Sequence, residues 1–172
     1  MANIGTFIIP GIAQWAKVFE HNRDMEGFEG AYVDCDGAYT IDLVVDEDGL
    51  AIYERSKAAG KPKPAYLDEG TGTYTHKRKN NDDEANTRTD LFIIKFKRKH
   101  LDRVSDRFGG APEIIGLPEG VTEIGNGSRV ELRFSTYTTK MSNGCRMEKI
   151  RVVDLVEFEG RSDAEVDDDL PF

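Results

Sequence analysis

Residues 91–99 read Leu91-Phe92-Ile93-Ile94-Lys95-Phe96-Lys97-Arg98-Lys99, and the alternation within them decides the fold class. Successive side chains of a β-strand point to opposite faces, so Phe92, Ile94 and Phe96 fall on one side, and Leu91, Ile93, Lys95, Lys97 and Lys99 on the other. Burying the aromatic side leaves three lysines in one row outside. At two residues per step they stand about 7 Å apart, roughly the spacing of phosphates along an extended single strand.

The flanking segments repeat the pattern. Ala38 to Val45 sets Tyr39, Ile41, Leu43 and Val45 inward against Ala38, Thr40, Asp42 and Val44. Asp46-Glu47-Asp48-Gly49 reads as a turn, and Leu50 to Ala59 as a short helix with Leu50, Tyr53 and Ala58 inward and Gly60 as its stop. Gly127 to Tyr137 sets Val130, Leu132 and Phe134 inward against Arg129, Glu131, Arg133, Ser135 and Tyr137. After a polar turn at Lys140 to Gly144, Arg146 to Phe158 is a final strand. Its apolar face switches from Ile150 and Val152 to Val153 and Leu155, which implies a bulge near Val153.

Ile12 to Phe19 supplies a fifth strand. If its Ile12 and Val18 face is buried, the opposite face shows Trp15, Lys17 and Phe19, a ring, cation, ring row of the kind that stacks bases and holds phosphate. Inverted, the same strand puts Trp15 and Phe19 in the core. Glu20 to Asp36 is too polar and glycine-rich to be an element. His100 to Phe108 fits a helical turn carrying Arg103 and Arg107, and Ala111 to Gly125 a Pro- and Gly-punctuated connection. The segment 60–89 shows little periodicity beyond Gly70 to Thr75 and reads as a flexible loop. Its Tyr66, Tyr74, His76, Lys77, Arg78 and Lys79 suit a flap that closes over a ligand strand.

Five strands with one short helix describe a mainly β protein, a small closed or partly open five-stranded barrel like the oligonucleotide-binding (OB) fold. The helix follows the second strand rather than the third, and a further strand in Met1 to Pro10 or Tyr66 to Thr75 would change the count. Residues 1–160 form the folded domain. Residues 161–172 hold five carboxylates and little to bury, and should stay a disordered acidic tail.

Composition narrows the function. With 172 residues, 38% hydrophobic and 32% charged, the chain suits one soluble domain. It has no apolar run of membrane-spanning length and no signal-peptide pattern, so the expected place is the cytoplasm, the host's if a phage encodes it. Cys35 and Cys145 lack a Cys-x-x-Cys spacing, and no disulfide or zinc site is expected. The net charge of −9 is unlike a nucleic-acid binder's, yet without the tail acids the body holds 27 acids against 23 bases. Its cations gather at Lys77 to Lys79 and Lys95 to Arg107.

Catalysis finds no support. Asp34 and Asp36, or Asp46 to Asp48, do not fit a calcium loop, and Gly125-Asn126-Gly127-Ser128 lacks the P-loop lysine. No motif marks either cysteine as a nucleophile, and His21, His76 and His100 lie in loops or at an element's end. No enzyme activity, metal or cofactor is expected.

The chain's end adds a sharper signal. Asp167, Asp168 and Asp169 are followed by Leu170, Pro171 and Phe172, an apolar hook with a carboxylate behind a run of acids. This tip resembles the acidic, Pro-Phe-ended tail of bacterial single-stranded DNA-binding proteins. The body is similar to phage single-stranded DNA-binding proteins of the OB-fold type. It is so in Tyr39-Thr40-Ile41-Asp42-Leu43-Val44-Val45 followed by a helix, in Leu91 to Lys99, and in Ile124-Gly125-Asn126-Gly127-Ser128-Arg129-Val130. The resemblance implies sequence-independent binding of single-stranded DNA in replication, recombination or repair. It also implies a tail that competes for the DNA groove and recruits replication proteins such as a polymerase, helicase or primase, and a homodimer, for which the sequence shows no interface. Stacking would fall to Trp15, Phe19, Tyr74 and Tyr137, with phosphate neutralised by Lys17, Lys77, Arg78, Lys79, Lys95, Lys97, Lys99, Arg129 and Arg133. Two other readings stay open. One is an adaptor that binds no DNA and captures host proteins through its tail; the other is a nuclease using the loop acids.

Overall fold

Ile41 and Phe96 stand opposite each other on neighbouring strands and are both buried. The computed structural model describes residues 3–78, 86–101 and 109–157. In chain order the elements are β1 (Asn3–Lys17), β2 (Ala38–Val45), α1 (Glu47–Arg55), β3 (Lys63–Asp68), β4 (Thr73–Thr75), β5 (Thr87–Lys99), β6 (Glu113–Ile115), β7 (Arg129–Thr138) and β8 (Asn143–Asp154). Among the described residues they form one eight-stranded sheet in the order β4-β3-β5-β2-β1-β7-β8-β6.

The expected inward rows of β2, β5 and β7 are the core. Tyr39, Ile41, Leu43, Ile94, Phe96, Val130, Leu132 and Phe134 are buried, joined by Met147 and Ile150 of β8. The helix drops Tyr53 into their midst, edge-on to Phe96 at 5.8 Å and 6.0 Å from Phe134, while Phe96 and Phe134 lie 5.0 Å apart. Rings in such tilted contacts add to the stabilisation from burial itself. The acids 46–48 belong to the helix rather than to a turn. Asp46 is its N-cap and accepts from the Gly49 amide at 2.9 Å, with Glu47 and Asp48 in the first turn. Negative charge is favourable at that end.

The five-stranded barrel gives way to an eight-stranded sheet. The five expected strands are β5, β2, β1, β7 and β8, contiguous in the sheet, but no ladder among the described residues joins β5 to β8. That gap is crossed by Arg98, whose guanidinium donates to the carbonyls of Met147 (3.1 Å) and Gly109 (2.9 Å). The additional strands lie where alternation is weak. β1 begins at Asn3, runs through Pro10 and Gly11, and pairs with β7 along its first part and β2 along its second. β6, within the expected connection, adds a short parallel pairing to β8.

The loop expected over 60–89 is largely ordered as the β3–β4 hairpin and the start of β5. Its anchor is Gln14 on β1, which is 2% exposed; the side-chain amide donates to the Tyr74 carbonyl (2.9 Å) and accepts from the Tyr74 amide (2.6 Å). Beneath it Val44, Ala65 and Ile93 make a second, smaller core with Ile12, Tyr74 and Leu91. The bulge lies where expected: pairing steps from Arg129↔Asp154 to Val130↔Val152, leaving Val153 unpaired and exposed. A second step, from Arg133↔Lys149 to Phe134↔Met147, sets Glu148 out of register. Lys79, the helical turn carrying Arg103 and Arg107, and the acidic tail all lie outside the described residues.

Gln14→Ala removes both anchors of the hairpin and should lower stability by about 1–3 kcal/mol in urea unfolding. Amide exchange should accelerate more at Tyr74 than at Ile41, which opens only with the whole fold.

Candidate nucleic-acid interface

The regular alternation of β1 fails between Gln14 and Lys17, and the site is built on that failure. Ala13 and Gln14 are both buried, and Trp15 takes a left-handed backbone conformation, φ +51°, uncommon for a bulky side chain. A distant segment holds it there. The Trp15 amide donates to Asn126 Oδ1 (2.8 Å), the Ala13 amide to the Ser128 carbonyl (2.8 Å), and the Gly127 amide to the Ala13 carbonyl (3.0 Å). That segment is itself clamped: buried Ser128 donates through Oγ to the Gly125 carbonyl (2.8 Å) and accepts from the Val156 amide (2.8 Å). Gly125 is required, since a Cβ there would lie 2.3 Å from the Val156 carbonyl oxygen. The stretch Gly125-Asn126-Gly127-Ser128 therefore positions a tryptophan. The indole is turned outward and is 54% exposed.

Strand register sets what surrounds it. Lys17 stands opposite Thr40, and Thr40 opposite Lys97; one row on, Gln14 stands opposite Asp42, and Asp42 opposite Lys95. Directly opposed residues share a face, so the outer wall of β1, β2 and β5 carries Lys17, Lys95 and Lys97 in adjoining rows. At the hairpin end a cavity of about 300 Å³ opens, lined by Trp15, Asp42, Tyr74 and His76 with Asp68, Thr73, Thr75 and Ile93. Burial raises the Asp42 carboxyl against the opposing pull of Lys95, His76 and Lys63. Burial, with Lys63 and Lys77, holds the His76 imidazole below its ordinary value.

The structure thus gathers Trp15, Lys17, Tyr74, Lys95 and Lys97 on one wall. Lys77 and Arg78 follow β4 directly and are exposed. Lys99, at the end of β5 opposite Ala38, is exposed. Arg129 stands opposite Ile12, one row from the cavity. Phe19 leaves the expected row and packs against the core, 5.7 Å from the His21 ring. Tyr137 lies away from the Trp15 cavity but lines a second groove, of about 490 Å³, together with Lys95, Lys97 and Lys99 and with Tyr53, Phe96 and Arg98. Sequence reading passed over Gln14, Asp42 and Asn126. Only Asn126, set between two glycines, carried a local signal.

The chain is similar to a phage single-stranded DNA-binding protein. The match is gp2.5, a single-stranded DNA binding protein encoded by bacteriophage T7, at 18% identity and a TM-score of 0.43, over 91% of this chain and 90% of that one. No family model matches the chain, and no curated protein sequence does. So loose a likeness carries no residue roles across, and the site stands on its own geometry.

Arg133 is spoken for. Its Nε is ion-paired at 3.4 Å with Glu148, which accepts hydrogen bonds from Arg146 Nη2 (2.8 Å) and Ser135 Oγ (2.8 Å). Burial raises the Glu148 carboxyl, but these hydrogen bonds and the charges of Arg146 and Arg133 outweigh it, and the net shift is downward. Burial pushes the Cys145 thiol up to about 12, and no group of three or more His, Cys, Asp or Glu among the described residues could hold a metal. No helix among those residues is long and apolar enough to cross a membrane.

A carboxyl held below its ordinary pKa stabilises the fold above the ordinary value of 4.5, and the contribution is lost as pH falls through the folded value. Glu148→Gln removes that dependence. Urea unfolding across an acid pH series should show the wild type losing stability more steeply than the variant below that value, and equal slopes would refute the assignment.

Proposed function

We propose that this protein binds single-stranded DNA along the outer wall of β1, β2 and β5, without strict sequence preference, in replication, recombination or repair of a phage genome. The observation that carries this reading is Trp15, held outward beside Lys17, Lys95 and Lys97. An indole carried on a strained backbone that Asn126 holds, and left half in water, contributes little to the core. It is a platform on which a base can stack, worth roughly 1–3 kcal/mol, while the lysine rows neutralise the phosphates on either side. The hairpin brings Tyr74, Lys77 and Arg78 over the strand's other flank. A local cationic wall of this kind serves DNA even on a chain of net charge −9.

The acids Asp163 to Asp169 fit the same lysines and act as a stand-in for DNA on the empty wall. A bound strand displaces them and frees Leu170, Pro171 and Phe172 for a polymerase, helicase or primase. Deletion of residues 162–172 should tighten DNA binding at low salt and abolish recruitment; unchanged values for both would refute the tail's role.

Oligo-dT should quench Trp15 fluorescence, with affinity falling steeply as salt rises. Lys97→Ala should reduce the log–log salt slope by about 0.7, the value for one phosphate contact on a single strand. Arg133 stands on β7, off that wall, and pairs with Glu148, so Arg133→Ala should change the slope less than Lys97→Ala does. An oligonucleotide that stays free at low salt with either the full or the tail-deleted chain would defeat the reading and favour an adaptor.

A further inference from the structure

Asp42 is out of place on a wall suited to phosphate. Its side chain is 24% exposed, and its only partner among the described residues is a loose one, Lys95 Nζ at 3.9 Å. No hydrogen-bond donor among those residues reaches its oxygens. Its oxygens are not among the buried atoms left without a partner, yet a negative charge here weakens the attraction for the strand. The carboxylate oxygens are free to accept from a ligand in the adjoining cavity of about 300 Å³, which Asp42 lines together with Trp15, Tyr74, His76 and Asp68.

That cavity suits one flat nucleobase, and an ionised carboxylate can only accept. Guanine presents N1–H and a 2-amino group side by side on its Watson–Crick edge, matching two carboxylate oxygens. Cytosine and adenine offer one amino group beside an acceptor. Thymine offers one N–H between two carbonyls that repel the carboxylate. Bases of an unpaired strand leave these edges free to be read.

Resting on the strand-binding reading above, we propose that Asp42 accepts from the Watson–Crick edge of a guanine held in the Trp15–Tyr74 cavity, biasing an otherwise sequence-tolerant wall toward guanine over thymine. Lys95 keeps the carboxylate from facing the phosphates alone, and Gln14, one strand over, holds Tyr74 in place.

The test compares labelled oligonucleotides of about 16 nucleotides, the upper end of a site for one such wall: oligo-dT, alternating dT-dG, and alternating dT-dI, whose inosine lacks the 2-amino group. Fluorescence anisotropy with the full chain should show dT-dG binding about tenfold tighter than oligo-dT, the discrimination typical of one bidentate base contact, with dT-dI in between. Asp42→Asn, isosteric and checked by circular dichroism, should bring the three to within about twofold of one another without weakening oligo-dT, since a negative charge is gone from the wall. Equal binding of oligo-dT and dT-dG by the wild type overturns the role of Asp42 and leaves strand binding intact. A preference that survives Asp42→Asn overturns it too. Failure of all three oligonucleotides to bind defeats the strand-binding reading itself.

Discussion

The pairing of β2 with β5 constrains everything else in this molecule. Once Ile41 and Phe96 are buried opposite each other, the two-residue period of both strands sends Thr40, Asp42, Lys95 and Lys97 to the other side. A slip of one residue would drive lysines into the aromatic cluster around Tyr53 and Phe134, so the register cannot drift. The outward face is then divided. Its apolar end, Val44 and Ile93, is covered by the β3–β4 hairpin, and toward its other end Lys95 and Lys97 are exposed. The cavity lies where cover meets opening.

Sequence reading recovered what alternation encodes and missed what it does not. The inward rows of β2, β5 and β7 and the bulge at Val153 follow from period and side-chain type alone. The first part of β1 shows no clean period, with Gly5, Pro10 and Gly11 interrupting it, and it takes its place in the sheet through pairing with β7. The hairpin hid for a different reason: β4 is three residues long, and what fixes it is a side-chain amide 60 positions earlier. Trp15 shows the same limit. Its outward turn depends on Asn126, 111 positions away, and on a glycine that lets the Val156 carbonyl come close. Phe19, two residues past the irregularity, is carried back to the core. The charge of Arg133 is answered by Glu148 from the neighbouring strand, which no count of cations reveals.

Placing a bulky residue at positive φ costs roughly 1–3 kcal/mol, and the surroundings that impose it are unusually complete. Ser128, Gly125 and Val156 brace the loop, the loop braces the bulge, and the bulge presents the indole. A ring presented in this way needs little further ordering when a ligand arrives, which spares part of the entropy that a floppy surface tryptophan would lose on binding.

β1 also governs how the chain comes together. Phe7 pairs opposite Phe134, a partner made 127 positions later, so the first strand of this sheet waits for its seventh. Contacts this distant in sequence close slowly. Until residues 129–138 emerge, the first half of β1 has an open backbone edge and an outward Ile8, a surface on which nascent copies can stick to one another. A chain halted upstream of that point can still pair β1 with β2, but it leaves the first half of β1 without its mate.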